Sequence, residues 1–401
     1  MANPVISKPV RAYSYYVAAS DSPAHVKAQA DRIYTSAASK SMLLGLLNSG
    51  YDVKLAPGTY PMETSGLKPE VNDIVLVGSG KKTVLQGDGT FSKLLDFEDI
   101  YNVTVRDLMV DQVSGYVDTS GAINIKGVNG YLLENVWTNK GGRYGVQNYS
   151  STHGRLINVR TIDSNNDGIS FEGPNSDIEV IGCRSTGSGE SGLEIDEYNE
   201  DIRIIGGNYH DNPWYGIMIV SHYGSGDPAC NRILINGVLC KDNSGYQLFV
   251  RNQSFEYGAE PLAATNLKVV NSFFYGTKNV WIRRVTGLTF DNNNLDDRIG
   301  GNVSAEFQGC QLAKVRGNTI RNTVRNSKGI YITEDSSLGG VAVQSKNFIV
   351  SDNQMDNVID GFVCDTDLDV LTLMGNQVKD YTGDKYTVGA GVTNVINEHN
   401  Q

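Results

Sequence analysis

The chain has 401 residues, including 44 Gly and only 10 Pro, and a formal net charge of −11. Nucleic-acid binding usually depends on a basic domain, so this acidic balance excludes nucleic acid as an expected partner. Glycine in this amount, among many Asn, Asp, Ser and Thr residues, predicts short strands separated by turns rather than helices. The five cysteines contain no C-x-x-C pair and predict no disulfide framework.

The N-terminal segment, residues 1–38, is predicted to lead into the folded core. Its first part, MANPVISKPVRAYSYY, has no continuous apolar stretch, so no signal peptide is predicted. No window of the chain approaches the roughly 18 apolar residues of a membrane span, and no membrane partner is expected. The chain is expected to be made in a cytoplasm. We expect it to act outside the cell, as a virion component or after secretion, and otherwise in the cytoplasm.

Residues 39–50 form the one clear helical stretch. The segment SKSMLLGLLNS has an apolar face with Ser and Lys opposite it. Because unpaired strand edges invite association, a β-rich core needs its open end covered, and this helix is predicted to cap the N-terminal end. The following VKLAPGTYPM predicts a strand, a Pro-Gly turn and a second strand that begin the first coil.

Residues 51–396 contain a repeated element, a glycine followed by alternating apolar residues. Its copies are separated by 24, 23, 24, 24 and 29 residues, and they begin at Gly121, Gly145, Gly168, Gly192, Gly216 and Gly245. A period in this range predicts a solenoid, and the two-residue alternation excludes helical repeats. The sequence therefore predicts an all-β parallel β-helix of about twelve coils. We expect one domain over residues 1–401, with a tail at 397–401.

Asparagine recurs near the end of a second strand in these coils. The recurring residues are Asn135, Asn158, Asn236, Asn271, Asn292, Asn318, Asn353 and Asn376. Asparagine tolerates turn geometry, and its amide can bond to the same position of the next coil. These asparagines are therefore predicted to be structural.

These features together resemble a known superfamily. A short helix, the string V-x-L-x-P-G-T-Y at residues 53–60, and coils with asparagine ladders are similar to the pectate-lyase-like right-handed β-helix superfamily. The resemblance covers the chain from about Tyr16 to Ile396. It implies a right-handed β-helix and a polysaccharide partner, and a homotrimer if the chain is a phage particle protein. The superfamily holds lyases, hydrolases, C5-epimerases, tailspikes and adhesins, so the fold leaves the reaction open.

Alternation places a series of polar and aromatic side chains on the solvent side of one face. Exposed rings with fixed polar neighbours suit a sugar chain, because ring faces stack on pyranose faces while polar groups bind hydroxyls. The alternative is that the aromatic residues pack under side loops. The predicted substrate-binding residues are Arg143, Gln147, Gln247, Phe249, Arg251, Trp281, Arg283 and Tyr331.

Three acids occupy neighbouring positions of the repeat. Glu172 and Asp196 fall on one ladder position of consecutive coils, about 5 Å apart, with Glu194 close by. Like charges this close destabilise each other and raise one pKa. Three uses remain open: the acid and nucleophile of a retaining glycosidase, a Ca²⁺ site formed by all three carboxylates, or solvated acids offset by cations from loops.

A second set lies on the coils just upstream. Chemistry at C5 of a uronate needs a cation for the carboxylate, a base for the C5 proton and an acid. Lys126 or Arg143 would supply the cation, and Tyr149 and His153 would exchange protons. This set is similar to the Lys, Tyr and His residues of β-helix uronate epimerases and lyases. The string Tyr144–Tyr149 departs from the epimerase pattern because it lacks Asp-Pro-His.

Two classes of function follow from the sequence. The first is an enzyme, either a lyase or a C5-epimerase of an acidic, uronate-containing polysaccharide, with a tailspike-like glycoside hydrolase as the alternative. The second is a non-catalytic glycan-binding adhesin or particle protein. No cofactor is expected other than Ca²⁺ at the acids. The predicted catalytic residues are Lys126, Tyr149, His153, Glu172, Glu194 and Asp196.

Overall fold

The strands form about 11 turns of a right-handed parallel β-solenoid that is about 5% helical. This computed structural model describes residues 14–36, 39–62, 65–90, 93–112, 121–196, 198–221, 229–252, 263–276, 278–297, 303–335, 344–366, 368–389, 392 and 395–398. The chain forms two compact units, Met1–Gly189 and Glu190–Gln401, called the N-terminal and C-terminal units. Within the described residues, no helix has both the length and the apolar character needed to cross a bilayer.

The N-terminal unit contains the two helices α1 (Ala24–Lys27) and α2 (Lys40–Asn48). Its strands are β1 (Ser14–Ala19), β2 (Arg32–Tyr34), β3 (Asp52–Leu55), β4 (Gly58–Met62), β5 (Val75–Val77), β6 (Thr83–Gly87), β7 (Leu95–Glu98), β8 (Tyr101–Gln112), β9 (Gly121–Lys126), β10 (Asn129–Asn139), β11 (Tyr144–Tyr149), β12 (Thr152–Ile157), β13 (Arg160–Ile162), β14 (Ile169–Glu172), β15 (Ser176–Ile181) and β16 (Arg184–Thr186).

The C-terminal unit contains strands only among its described residues. They are β17 (Ser191–Ile195), β18 (Glu200–Ile205), β19 (Asn208–His210), β20 (Tyr215–Ser221), β21 (Cys230–Asn231), β22 (Leu234–Asn236), β23 (Leu239–Lys241), β24 (Tyr246–Asn252), β25 (Ala264–Thr265), β26 (Lys268–Val270), β27 (Phe273–Gly276), β28 (Lys278–Arg283), β29 (Val285–Thr286), β30 (Thr289–Asp291), β31 (Asn294–Asp297), β32 (Val303–Gln308), β33 (Gln311–Arg316), β34 (Thr319–Thr333), β35 (Lys346–Ser351), β36 (Gln354–Cys364), β37 (Leu371–Met374), β38 (Gln377–Lys379), β39 (Tyr386–Val388) and β40 (Val395–Glu398).

The core of each unit consists of apolar ladders that run from coil to coil. In the N-terminal unit Val146 lies in register between Ile123 and Ile169, and all three are fully buried. In the C-terminal unit the buried Leu248 pairs in the same way with buried apolar residues of β20 and β28. Burying each such side chain contributes roughly 1.5–3 kcal/mol. Because side chains alternate across a strand, this register also fixes which residues point outward.

The repeated glycines stand where neighbouring coils approach closely. A Cβ added at Gly145 would lie 2.6 Å from the carbonyl oxygen of Gly168 in the N-terminal unit. A Cβ added at Gly216 would lie 2.6 Å from the carbonyl oxygen of Gln247 in the C-terminal unit. Any side chain here would push backbone away, so the glycine that begins each copy of the repeat is a packing requirement.

The asparagine prediction is confirmed in both units. In the N-terminal unit the Asn158 side-chain amide donates to Oδ1 of Asn135 at 2.7 Å. In the C-terminal unit Asn318 donates to Asn353, and Asn353 donates to Asn376, each at 2.9 Å. These ladders satisfy polar groups at the turns and hold the strand ends in register.

The predicted fold class is confirmed, with about 11 turns where about twelve were expected. The helix predicted at residues 39–50 forms over Lys40–Asn48, with Leu43 and Leu47 buried. Its role as a cap of the core stays a prediction, as does a single domain over residues 1–401.

Candidate functional site

The predicted catalytic residues of the N-terminal unit lie partly on one outward column. Across strands β7, β9, β11 and β14, Glu98 pairs in register with Lys126, Lys126 with Tyr149, and Tyr149 with Glu172. Adjacent parallel strands lie about 4.8 Å apart, so neighbours in this Lys126 column are within reach of one another. Lys126 is exposed and Tyr149 is 41% exposed, so the column faces solvent.

Hydrogen bonds and ion pairs engage both ends of the Lys126 column. Nε2 of Gln147 donates to Oε2 of Glu172 at 2.7 Å. At the other end Glu98 accepts from Nζ of Lys68 at 2.6 Å and from Nζ of Lys93 at 3.1 Å. The Lys68 hydrogen bond is the main cause that lowers the pKa of Glu98 to about 2. Glu98 is therefore a fixed anion over the whole neutral range.

His153 and Arg143 lie outside the Lys126 column. His153 is on β12, where its Nδ1 is 3.0 Å from Oδ1 of Asn129 and its Nε2 is 3.9 Å from an Asp177 carboxylate oxygen. The Arg143 guanidinium is exposed and lies 5.1 Å from the centroid of the Tyr144 ring. The structure therefore brings Lys126, Tyr149 and Glu172 together and places the predicted histidine elsewhere.

Glu194 and Asp196 belong to the C-terminal unit. Glu194 is buried, with only 5% of its surface exposed, and it pairs in register with Met218. The main-chain oxygen of Asp196 accepts from the side chain of Asn199 at 2.6 Å. The predicted spacing of about 5 Å between Glu172 and Asp196 joins residues of different units and stays a prediction. In the described part of the chain, no three His, Cys, Asp or Glu side chains group as a metal site, and Ca²⁺ binding stays a prediction.

The C-terminal unit carries a second outward surface on strands β20, β24, β28, β32 and β34. Register partners run along one column from Met218 to Phe249, then to Trp281, Glu306 and Tyr331. With their neighbours they form the aromatic–acid face, which comprises Tyr215, Met218, Val220, Tyr246, Phe249, Arg251, Trp281, Arg283, Glu306, Gln308, Lys328, Tyr331 and Asp365.

One end of the aromatic–acid face is apolar. Phe249 is buried with 1% exposure, and the Tyr215 ring stacks on it at a centroid distance of 4.3 Å and an angle of 8°. Trp281 packs 5.2 Å from Phe249 and 5.3 Å from Tyr246. Such ring pairs contribute about 0.5–1.5 kcal/mol each beyond their buried area. The result is a rigid aromatic surface, with Trp281 and the two tyrosines partly accessible.

Arginines adjoin the aromatic rings. The guanidinium of Arg283 lies 5.1 Å from the Trp281 centroid, and that of Arg251 lies 5.5 Å from the Phe249 centroid. Burial, together with the nearby charge of Arg283, lowers the pKa of Arg251. Arg283 and Arg284 both form ion pairs with Asp335, whose side chain is only 1% exposed. Asp335 thus fixes the position of Arg283 against the tryptophan.

Glu306 is a largely buried carboxyl on this face. Burial raises its pKa, and the charge of Asp365 acts in the same direction. The hydrogen bond from Nε2 of Gln308 to Oε1 of Glu306, at 2.5 Å, and the charges of Lys328 and Arg283 offset this only in part. A carboxyl with a raised pKa holds its proton to higher pH, which is the property a general acid needs.

Tyr331 is the register neighbour of Glu306 and is hydrogen-bonded to a second carboxylate. The Tyr331 hydroxyl donates a hydrogen bond to the Asp365 carboxylate. Burial and this hydrogen bond raise the pKa of Tyr331 to about 12. Nζ of Lys328 lies 3.2 Å from the centroid of the same ring. An acid, a phenol, a carboxylate and an ammonium group are therefore grouped beside the aromatic surface.

The structure corrects one predicted site residue and adds others. Gln247, predicted to face substrate, is fully buried, and its side-chain amide bonds to the main-chain oxygens of Asn243 and Lys278, so it does not face solvent. Phe249 and Arg283 are also buried, at 1% and 5% exposure, and both pack against Trp281. Glu306 was not among the site residues predicted from the sequence. Its outward position in the repeat, between those of Trp281 and Tyr331, could have identified it. Lys328 and Asp335 were not predicted either. Asp335 lies after the repeat ends on β34, where alternation gives no information.

Comparison with known proteins supports the fold. No family model matches the sequence, and no curated protein matches it. The A-module of mannuronan C-5 epimerase AlgE6 from Azotobacter vinelandii is similar, with a TM-score of 0.62 and 15% identity over 92% of this chain and 96% of that one. Bacteriophage phi29 gene product 12 is also similar, with a TM-score of 0.64 and 14% identity over 87% of this chain and 52% of that one.

A third solved structure is the catalytic unit of a GH87 alpha-1,3-glucanase from Streptomyces thermodiastaticus. Its TM-score is 0.55, with 16% identity over 90% of this chain and 66% of that one. At these identities, similarity shows that the chain shares a right-handed β-helix fold with all three proteins. The reaction has to be argued from the side chains.

Proposed function

We propose that the chain binds and cleaves an acidic, uronate-containing polysaccharide at the aromatic–acid face. The observation that carries this proposal is the grouping of Trp281, Arg283 and Glu306 in one place. An aromatic ring suits a pyranose face, a guanidinium suits a sugar carboxylate, and a carboxyl whose pKa is raised by burial suits proton donation to a glycosidic oxygen. The named similar structures include an enzyme of mannuronan and a glucanase, which agrees with a polysaccharide substrate.

The first reaction proposed is elimination. Arg251, which is partly exposed, would neutralise the uronate carboxylate and make the C5 proton acidic, and the charge of the buried Arg283 would add to its effect. Tyr331 would remove that proton while its own hydroxyl proton passes to Asp365, to which it is already hydrogen-bonded. Glu306 would give its proton to the leaving glycosidic oxygen. The products would be one new hydroxyl end and one unsaturated sugar. In C5 epimerisation one C5–H bond would break and a new one would form when a proton is delivered to the opposite face of C5, while the glycosidic bond stays intact.

Hydrolysis is a second candidate that a specific observation favours. Burial raises the pKa of Glu306, and a second carboxyl, that of Asp365, lies nearby and accepts a hydrogen bond from Tyr331. Glycoside hydrolases use such a pair, with one acid on the leaving oxygen and one carboxylate acting on water or on the sugar. In both elimination and hydrolysis Glu306 would donate its proton to the leaving glycosidic oxygen.

The Lys126 column is a separate proposal for the catalytic centre. Lys126 next to Tyr149 offers the cation and the proton-exchanging group that elimination requires, and Glu172 adds a carboxylate. Predicted Ca²⁺ binding at Glu172, Glu194 and Asp196 belongs to this proposal. Tyr149→Phe and Lys126→Gln variants test it. A fall of roughly 10² in activity would place the chemistry there.

A polysaccharide screen with two readouts tests the proposed function. Elimination gives a rise in ultraviolet absorbance, because the product is conjugated. Hydrolysis gives new reducing ends without that rise, and epimerisation changes the uronate composition with neither. The signal of elimination or of hydrolysis should fall roughly 10²-fold or more in Glu306→Gln, because both reactions need a proton on the leaving oxygen. Binding without any reaction would contradict the proposal and favour the non-catalytic adhesin.

A polymeric substrate of this kind lies outside the cell, so we propose that the chain acts there, on a virion or after release. The homotrimer expected of a phage particle protein stays part of this proposal. Sedimentation of the purified chain would test it, since a monomer at micromolar concentration would contradict the trimer.

A further inference from the structure

The N-terminal unit carries a basic surface that no step of the proposed reaction uses. It lies on the outward side of strands β10, β13 and β16, together with the segment before β6. Trp137 pairs in register with Arg160, and Arg160 pairs with Arg184. Nζ of Lys81 lies 5.4 Å from the Trp137 ring centroid. These four residues, Lys81, Trp137, Arg160 and Arg184, are called the Trp137 patch.

The cations of the Trp137 patch are close together and not neutralised by ion pairs. Cζ of Arg160 lies 6.0 Å from the Trp137 centroid, so two positive groups flank one indole ring. Arg184 is directly opposite Arg160 on the next parallel strand, where like charges destabilise each other. Among the described residues, none forms a salt bridge with Lys81, Arg160 or Arg184. This contrasts with Arg106 and Arg155 of the same unit, which pair with Glu134 and Glu179.

Two donor atoms of the Trp137 patch are buried. Nε1 of Trp137 and Nε of Arg160 are both buried, and neither donates a hydrogen bond to any described residue. A buried N–H without an acceptor costs about 1–3 kcal/mol. A carboxylate bound at the accessible guanidinium groups would offset the repulsion between Arg160 and Arg184, since guanidinium groups match carboxylates in geometry.

We propose that the Trp137 patch is an accessory binding site for the carboxylate groups of an acidic polysaccharide. The choice of polymer rests on the proposed function, whereas the anionic character of the ligand follows from the patch itself. A site that holds the chain without reacting raises the local concentration of further sugar units at the reacting surface. The patch would therefore contribute to binding of long chains and not to the chemical step.

The test measures binding in a Glu306→Gln background, so that no substrate is consumed. Polygalacturonate is titrated calorimetrically into this protein, into the same protein with Arg160→Gln and Arg184→Gln, and into a matched control with Arg106→Gln and Arg155→Gln. Both double variants lose two positive charges from one unit. The account predicts that affinity falls roughly tenfold or more in the first and less than about twofold in the control.

The outcomes separate this proposal from the proposed function. Equal affinity in both double variants overturns the accessory site, whatever the activity screen shows. Loss of affinity for polyphosphate but not for polygalacturonate overturns the sugar carboxylate as ligand. If Arg160→Gln and Arg184→Gln unfold the chain, Trp137 fluorescence in a Trp214→Phe, Trp281→Phe variant replaces the measurement. A saturable change with polygalacturonate, reversed by salt, supports the site, and an unchanged signal overturns it.

Discussion

Glu98 in the N-terminal unit and Glu306 in the C-terminal unit occupy outward positions of the same kind of strand, yet their surroundings differ. Two lysines hold Glu98 as an anion, and the pKa of that carboxyl falls to about 2. Burial beside aromatic side chains raises the pKa of Glu306. Two outward glutamates therefore have pKa values that are shifted in opposite directions.

The neighbours of Glu98 and of Glu306 also differ in their exposure to solvent. Around Glu98 the charged partners are solvated, and Lys68 is half exposed, at 51%. Around Glu306 the neighbours are Trp281, Tyr331 and the buried Arg283. A solvated ion pair contributes little, whereas a desolvated carboxyl can perform acid catalysis near neutral pH. The comparison indicates that burial, more than residue type, decides in which direction the pKa of an outward carboxyl shifts.

The largest expected effect concerns the buried charges. Asp335→Ala leaves Arg283 and Arg284 without their shared carboxylate and should lower the free energy of unfolding by about 3–5 kcal/mol. Glu179→Ala removes the exposed partner of Arg155 and should cost less than about 1 kcal/mol. Urea denaturation measures both. Equal costs would remove the distinction between buried and solvated charge.

The next effect concerns catalysis. Glu306→Gln keeps the shape of the side chain and removes its proton, so activity on the polysaccharide identified by the screen should fall roughly 10²-fold or more. Glu172→Gln, on the solvated Lys126 column, should retain activity within about threefold. Initial rates at saturating substrate measure this. The reverse pattern would move the reaction to the N-terminal unit.

Removing an aromatic ring should have a smaller effect. Trp281→Ala deletes contacts with Phe249 and Tyr246 and should lower the free energy of unfolding by about 2 kcal/mol, less than for a fully buried tryptophan. It should also weaken polysaccharide binding. Trp214 is 56% exposed, so Trp214→Ala should change the free energy of unfolding by no more than about 0.5 kcal/mol. Thermal denaturation and calorimetry compare the two, and equal losses would contradict an aromatic binding surface built around Trp281.

The smallest effect is the pH dependence of stability, which should have opposite signs for the two glutamates. The lowered pKa of Glu98 stabilises the fold above the unfolded value of 4.5, and this contribution is lost as pH falls toward about 2. The raised pKa of Glu306 means that stability declines as pH rises from the unfolded value through the folded one. In a plot of the free energy of unfolding against pH, Glu98→Gln should flatten the limb below pH 4.5. Glu306→Gln should flatten the limb above it. Unfolding curves recorded across pH would contradict the account if both variants flattened the same limb.

The sequence predicted the coils because its signal is local and repeated. The glycine at Gly145 and its equivalents, and the apolar alternation after each, follow directly from the period. The same alternation placed Lys126, Trp281 and Tyr331 outward. It failed for Gln247, because an outward side chain can still be buried by turns of neighbouring coils.

Contacts between residues far apart along the chain could not be predicted from the sequence. The ion pairs of Asp335 join residues 51 and 52 positions apart and depend on where a segment beyond β34 folds. The placement of His153 away from Tyr149 depends on a turn whose direction composition does not specify. The raised pKa of Glu306 depends on packing from several strands at once, which no periodic pattern encodes.

Titration of the Glu306 carboxyl tests the central claim most directly. Carbon-13 NMR of side-chain carboxyls, with Glu306→Gln and Glu98→Gln to assign the two signals, gives both midpoints in one experiment. The account predicts a Glu306 midpoint above 4.5 and a Glu98 midpoint near 2. A Glu306 midpoint at or below 4.5 would contradict its role as the proton donor, because its surroundings would then not favour the protonated carboxyl.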